Sequence, residues 1–149
     1  MTADPKPPLS AFPHHTTEKL RFSDTDMVGH INNAVYATLI EAARVNLFYQ
    51  SAAELAPTGT TFVIAKLSID FLAELKWPTT VTIGTRVTRL GTSSLDLEHA
   101  IFSGDHCAAR GLSTGVLIDT QTRRGTPLSP QARAYLETLM GAAGSEPLR

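Results

Sequence analysis

The chain has one cysteine, Cys107, in 149 residues, so no internal disulfide forms, and a reducing compartment suits it. It has almost no net charge, −1 at pH 7, and so lacks the basic field that recruits nucleic acid or an anionic membrane surface. No apolar run approaches the roughly 20 residues that span a bilayer. The opening Met1-Thr2-Ala3-Asp4-Pro5 has neither a positive start nor an apolar centre, so no signal peptide is expected and the cytoplasm is the expected location. No His/Cys cluster has metal-site spacing, and neither a metal nor a cofactor is expected. What remains is 42% hydrophobic and 18% charged, an ordinary globular composition with the length of one domain around one core.

Pro5, Pro7, Pro8 and Pro13 crowd the start, so residues 1–14 read as a loose arm. One domain is expected over 15–141 and a loose tail over 142–149. Thr16–Ser23 reads as a first strand with Leu20 and Phe22 on one face. Asn33–Gln50 reads as a helix with apolar residues around most of its circumference, hence buried, and Pro57 and Gly59 end the helical region. Four runs then alternate with a period of two: Thr61–Leu75, Val81–Leu90, Ser94–Phe102 and Cys107–Thr120. Ser129-Pro130 offers a cap and a first-turn proline for a last helix through about Met140. An antiparallel sheet needs an apolar cover, and the helix after the first strand is the only long one available. The fold class is α+β, a five-stranded antiparallel sheet wrapped around a long buried helix.

Chemistry-bearing residues concentrate just before that helix. Asp24, Asp26, His30, Asn32, Asn33 and Tyr36 fall in one short span with Gly29 among them. A carboxylate beside a helix N-terminus can act as base or nucleophile on a carbonyl, and the helix end supplies free N–H donors. Each residue also has a plainer reading. Asp26 can close an Asx turn, Asn32 and Asn33 can cap the helix, Tyr36 can pack, and Gly29 can be an ordinary loop glycine. Glu41 and Arg44 are spaced to meet on one helix face.

Asp26-x-x-Gly29-His30-x-Asn32-Asn33-x-x-Tyr36, followed by Glu41 and Arg44, resembles the signature of hotdog-fold acyl-CoA thioesterases of the 4-hydroxybenzoyl-CoA thioesterase type. The element order agrees with that fold. The resemblance implies hydrolysis of an acyl-CoA thioester, with Asp26 as general base or nucleophile and Asp24 orienting the loop. It places the N–H near Asn33 at the thioester oxygen, keeps Glu41 as a further catalytic candidate, and puts Gly29, Asn32 and Tyr36 against the substrate. Plant acyl-carrier-protein thioesterases carry a similar Asp and His four residues apart, with Asn midway where this chain has Val28. His30 therefore orients Asp26 or water, touches substrate, or fixes the loop. Family members pair as homodimers, or as homotetramers of two dimers, with sites between subunits. A non-catalytic acyl-thioester-binding protein and a thioesterase for acyl carrier protein are the alternatives.

Other patterns weigh less. Asp24, Asp26 and Gly29 fit three positions of an EF-hand loop, but Val28 and Val35 do not. Gly111-Leu112-Ser113-Thr114-Gly115 has the letters of a nucleophile elbow but lies inside a strand. Cys107 opens an apolar strand without a partner. Arg86, Arg89, Arg110, Arg123 and Arg124 are candidates for CoA phosphates, but each reads more readily as a solvated surface charge.

Overall fold

The computed structural model describes residues 6–141; the expected tail over 142–149 and the first five residues of the expected arm lie outside them. The element order is β1 (His14–Lys19), α1 (Asn33–Gln50), β2 (Thr60–Phe71), β3 (Thr80–Leu90), β4 (Ser94–Ser103), β5 (His106–Asp119) and α2 (Pro130–Glu137). The strands form one antiparallel sheet in the order β1-β3-β4-β5-β2. It curves around α1, whose Ile40, Ala43 and Leu47 are fully buried against it. Burial of this kind contributes about 1.5–3 kcal/mol for each large aliphatic side chain. This is the hotdog arrangement, with α1 at the boundaries read from the sequence, while α2 ends at Glu137, short of the expected Met140.

The glycine pair of β5 owes its place to the helix. A Cβ on Gly111 would come within 2.7 Å of the Ile40 Cδ1, and one on Gly115 would meet Leu95 and Phe48 at 3.4 Å. Ser113 between them accepts or donates a bond at 2.8 Å to His99, deep in the core. The Gly-x-Ser-x-Gly letters thus reflect close helix–sheet packing.

Three expectations need correction. The loose arm to residue 14 is not observed over its described part: Leu9–Ala11 form a 3-10 turn, and Phe12 is 1% exposed, edge-on to Phe102. Gly84 leaves the space that the Phe12 ring fills. β1 stops at Lys19 because the chain turns into a 3-10 helix at Phe22–Asp24, where Asp24 accepts the Arg21 N–H. Phe22 accordingly lies exposed beside Trp77 instead of in the core. β2 stops at Phe71, since Leu72 and Ala73 both donate to the Ala108 carbonyl and the chain leaves the ladder.

α2 and the turn after it close one end of the core through Ala132, Leu136 and Leu139, with Ser129 capping the Ala132 N–H. At the sheet margin β2 is twelve residues long and has a neighbour on one side only. Its Ile64, Leu67 and Phe71 remain 39%, 38% and 51% exposed, as do Val45 and Tyr49 of α1 beside them. A long apolar edge of this kind is one that soluble proteins cover.

Candidate active site

The loop before α1 is tied to its neighbours by backbone bonds. Ile31 donates to Leu75, and Asn32 to Asp24. The Asn32 side chain accepts the Ala34 N–H at 3.0 Å, and the Asn32 carbonyl accepts that of Val35. These bonds satisfy two of the free donors of the first turn. Among the described residues no acceptor meets the Asn33 N–H, which remains open at the positive end of the helix dipole.

Asp26 faces the same place. Its Oδ1 accepts the Val28 and His30 N–H groups at 2.9 and 3.1 Å, while its own N–H donates to the His30 carbonyl. The Asx-turn reading and the reactive reading therefore use different oxygens, for no donor among the described residues meets Oδ2. Gly29 has φ +81° with open space around it, so it serves the tight turn of this loop. Asp24 is buried, and backbone and side-chain hydrogen bonds from Arg21 hold its carboxyl below the ordinary range. That is the loop-orienting role.

A cavity of about 300 Å³ joins Asp26, His30 and Asn33 to Tyr36, Phe71 and Glu74. His30 Nε2 lies 3.2 Å from Glu74 Oε2, and its backbone bridges Lys76. Tyr36 is 3% exposed and packs edge-on to Phe71, which makes it the apolar wall. Burial pushes its phenol pKa up, so the hydroxyl stays neutral.

Comparison with known proteins places the chain in a family. Residues 20–136 match the model of the thioesterase-like superfamily. The chain belongs to that superfamily. It is 25% identical over 115 residues to the uncharacterized protein YsmA of Bacillus subtilis, covering 77% of this chain and 76% of that one. A thioesterase of Thermus thermophilus, complexed with coenzyme A and Zn, is 32% identical with a TM-score of 0.71, over 84% of this chain and 98% of that one. The PA5185 protein of Pseudomonas aeruginosa superposes with a TM-score of 0.84 at 26% identity, over 93% of this chain and 99% of that one.

In this thioesterase-like chain the fold brings Asp26, His30, Asn33 and Tyr36 into one cavity and separates Glu41, which lines a second cavity with Arg44. Gly29 and Asn32 shape the loop and cap the helix and are not among the lining residues. Phe71 and Glu74 went unrecognised in the sequence. A lone carboxylate near the end of an alternating run, just before Trp77-Pro78, was the available signal for Glu74. Of the proposed CoA arginines, Arg86 is 4% exposed and bonded to the buried Glu98 at 2.7 Å, and Arg110 is buried too. Neither is the solvated surface charge expected. Among the described residues no group of three or more His, Cys, Asp or Glu converges as a metal site, and no helix is long and apolar enough to cross a membrane.

Proposed function

We propose that the protein hydrolyses acyl-CoA thioesters to a free acid and CoA. The observation that carries this reading is the meeting of the Asp26 carboxylate and the open Asn33 N–H in one cavity at the start of α1. The thioester carbonyl lies at the helix terminus with its oxygen toward the Asn33 N–H. As general base, Asp26 takes a proton from water while the water oxygen bonds to the carbonyl carbon. The resulting oxyanion is held by the Asn33 N–H and the helix dipole, a donor arrangement that contributes on the order of 3 kcal/mol. Collapse breaks the carbon–sulfur bond and releases CoA thiolate, which takes a proton. His30, held by Glu74, faces this path and supplies that proton. As nucleophile, Asp26 instead attacks the carbonyl carbon and displaces the CoA thiolate, which takes a proton and leaves a mixed anhydride that water then opens to the free acid and the Asp26 carboxylate.

The exposed edge of β2, with Val45 and Tyr49 beside it, supports a homodimer in which two such edges pair and each covers the other's cavity. A screen of aliphatic and aromatic acyl-CoA thioesters, read by thiol release, tests the activity. Absence of turnover above the uncatalysed rate on every thioester, including acyl-carrier-protein thioesters, rejects it in favour of a binding protein.

A further inference from the structure

Among the described residues the large exposed apolar side chains, Met140 apart, gather in two places: along the β2 edge and around the Asp26 loop. The second group holds Phe22, Met27, Val28 and Trp77. Phe22 is 71% exposed and Trp77 42%, and their rings meet edge to face at 5.3 Å between centroids, 79° between planes. An edge-to-face pair leaves ring faces free for a further flat group, and no other ring of the described residues packs on either. Exposed apolar groups that cluster mark a binding surface, whereas scattered ones do not.

Both rings are carried by the segments that build the cavity. Glu74 and Leu75 line it, Lys76 is bridged to His30, and Trp77 follows directly. The two residues from Leu75 to Trp77 span at most about 7 Å. Phe22 opens the 3-10 helix that ends at Asp24, and its carbonyl accepts the N–H and the hydroxyl of Thr25, next to Asp26. A cation precedes each ring. Lys76 is exposed and has no ion-pair partner among the described residues. Arg21 gives Nη2 to Asp24 at 3.0 Å, and its side chain stays 74% exposed. Of the nearby carboxylates, Asp24 faces Arg21 and Glu74 faces His30. Beyond Trp77 the chain is fastened to β1, since Leu20 donates to the Thr79 carbonyl and Lys19 pairs with Thr80. β1 is the sheet margin opposite β2, so a homodimer joined at the β2 edges leaves these rings open.

We infer that the Phe22–Trp77 pair stacks the adenine of CoA, with Lys76 and Arg21 on its phosphates. This rests on the thioesterase reading for the choice of CoA and adds a site for the half of the substrate outside the reacting cavity. With the thioester carbon at Asn33, the flexible pantetheine arm leaves past Glu74 and Leu75 and brings the nucleotide to the rim. Every nucleobase has a flat face for an aromatic side chain. The lysine meets phosphate as a compact charge, and the guanidinium meets it through N–H groups not used on Asp24.

The sequence has one tryptophan, so the tryptophan emission of the full-length protein reports Trp77 alone. Free CoA is expected to quench it, and pantetheine, which lacks the nucleotide, is expected to leave it unmoved. Steady-state kinetics then compare one acyl group carried on CoA and on pantetheine. The wild type is expected to have kcat/KM about tenfold or more higher on CoA, the scale of one stacked base. Trp77→Ala is expected to lower that ratio about tenfold, through KM, and Trp77→Phe to keep most of it. Lys76→Met is expected to lower it severalfold. Equal wild-type kcat/KM on the two carriers overturns the inference and leaves the thioesterase reading standing. So does CoA that inhibits turnover without moving the emission, and neither result needs a variant to fold. A folded Trp77→Ala protein that loses activity on both carriers alike also overturns it, assigning the rings to the Asp26 loop. Quenching by CoA but not by pantetheine, with no thioester hydrolysed, removes the thioesterase reading and keeps the nucleotide site.

Discussion

Two histidine-centred clusters of this molecule differ in almost everything except the histidine. His30 sits in an exposed loop with Glu74 on one side and a carboxylate, Asp26, in the same cavity. His99 lies in the middle of β4, fully buried, with Thr85 and Ser113 at 3.0 and 2.8 Å. Burial, followed by the charges of Arg44 and His14, lowers the pKa of His99 to about 3. The His99 cluster has both ring nitrogens satisfied by hydroxyls and no route for water, so it organises the core. The His30 cluster has an open acceptor, an open donor and space between them. Access and unfilled hydrogen-bonding capacity separate a reactive site from a structural one; the residue list alone does not.

Substitutions that remove one member from each cluster break this comparison most directly. Asp26→Asn is expected to lower kcat on any accepted thioester by about 10²–10⁴-fold, the range for a lost acid–base group. The melting temperature should remain close to wild type, since an amide oxygen still accepts the Val28 and His30 N–H groups. Steady-state kinetics beside a thermal melt read both, and a near wild-type rate removes Asp26 from the chemistry. Asn33→Pro deletes the one open N–H yet suits a first helical turn. It is expected to cost about 10²-fold in rate, against a severalfold effect for Asn33→Ala, with both folds checked by circular dichroism.

His99→Leu should do the reverse. It leaves the Thr85 and Ser113 hydroxyls buried without partners and is expected to cost about 2–4 kcal/mol of stability by urea melts, with kcat per folded molecule little changed. Acid sharpens the contrast. The unfolded chain's histidine takes a proton below about pH 6.5, and folded His99 takes none until about pH 3. Between those values the unfolded state binds more protons, so this group's contribution falls by about 1.4 kcal/mol per unit as pH drops. The gap between wild type and His99→Leu should therefore narrow from pH 6.5 toward pH 4. The lowered carboxyls of Asp24, Asp96 and Asp119 lose their contribution only as pH falls through and below the ordinary 3.8. Parallel curves would show that His99 titrates normally. Smallest is Glu74→Gln, expected to lower kcat by about three- to tenfold in steady-state kinetics, as loss of an orienting partner does. A shift in melting temperature with an unchanged kcat would make Glu74 a loop tether only.

The sequence was most legible where structure is set locally. α1 runs Asn33–Gln50 as read, because Asn32 caps it and the apolar positions repeat along it. The four long strands follow the period-two pattern, with β2 the exception: alternation continues through Leu75 after backbone bonds have diverted the chain. Phe12 was illegible because its pocket is made by Gly84, on a strand far along the chain. Glu74 was illegible for the same reason, since only folding sets it against His30. Arg44 stood in the motif, but its burial is a property of three dimensions. Asp26, His30 and Asn33 could be named from the sequence as candidates; which oxygen and which N–H remain open could not.

The glycines of β5 have a consequence for how this fold diversifies. Gly111 and Gly115 lie beneath Ile40 and Phe48, about two and about four turns into α1. The close packing of helix on sheet at these glycines thus lies away from the Asp26 loop, which keeps its own bonds to Leu75 and Asp24. Side chains there can be enlarged or shrunk while the bonds of the loop stay in place, so the two ends of one helix can change separately.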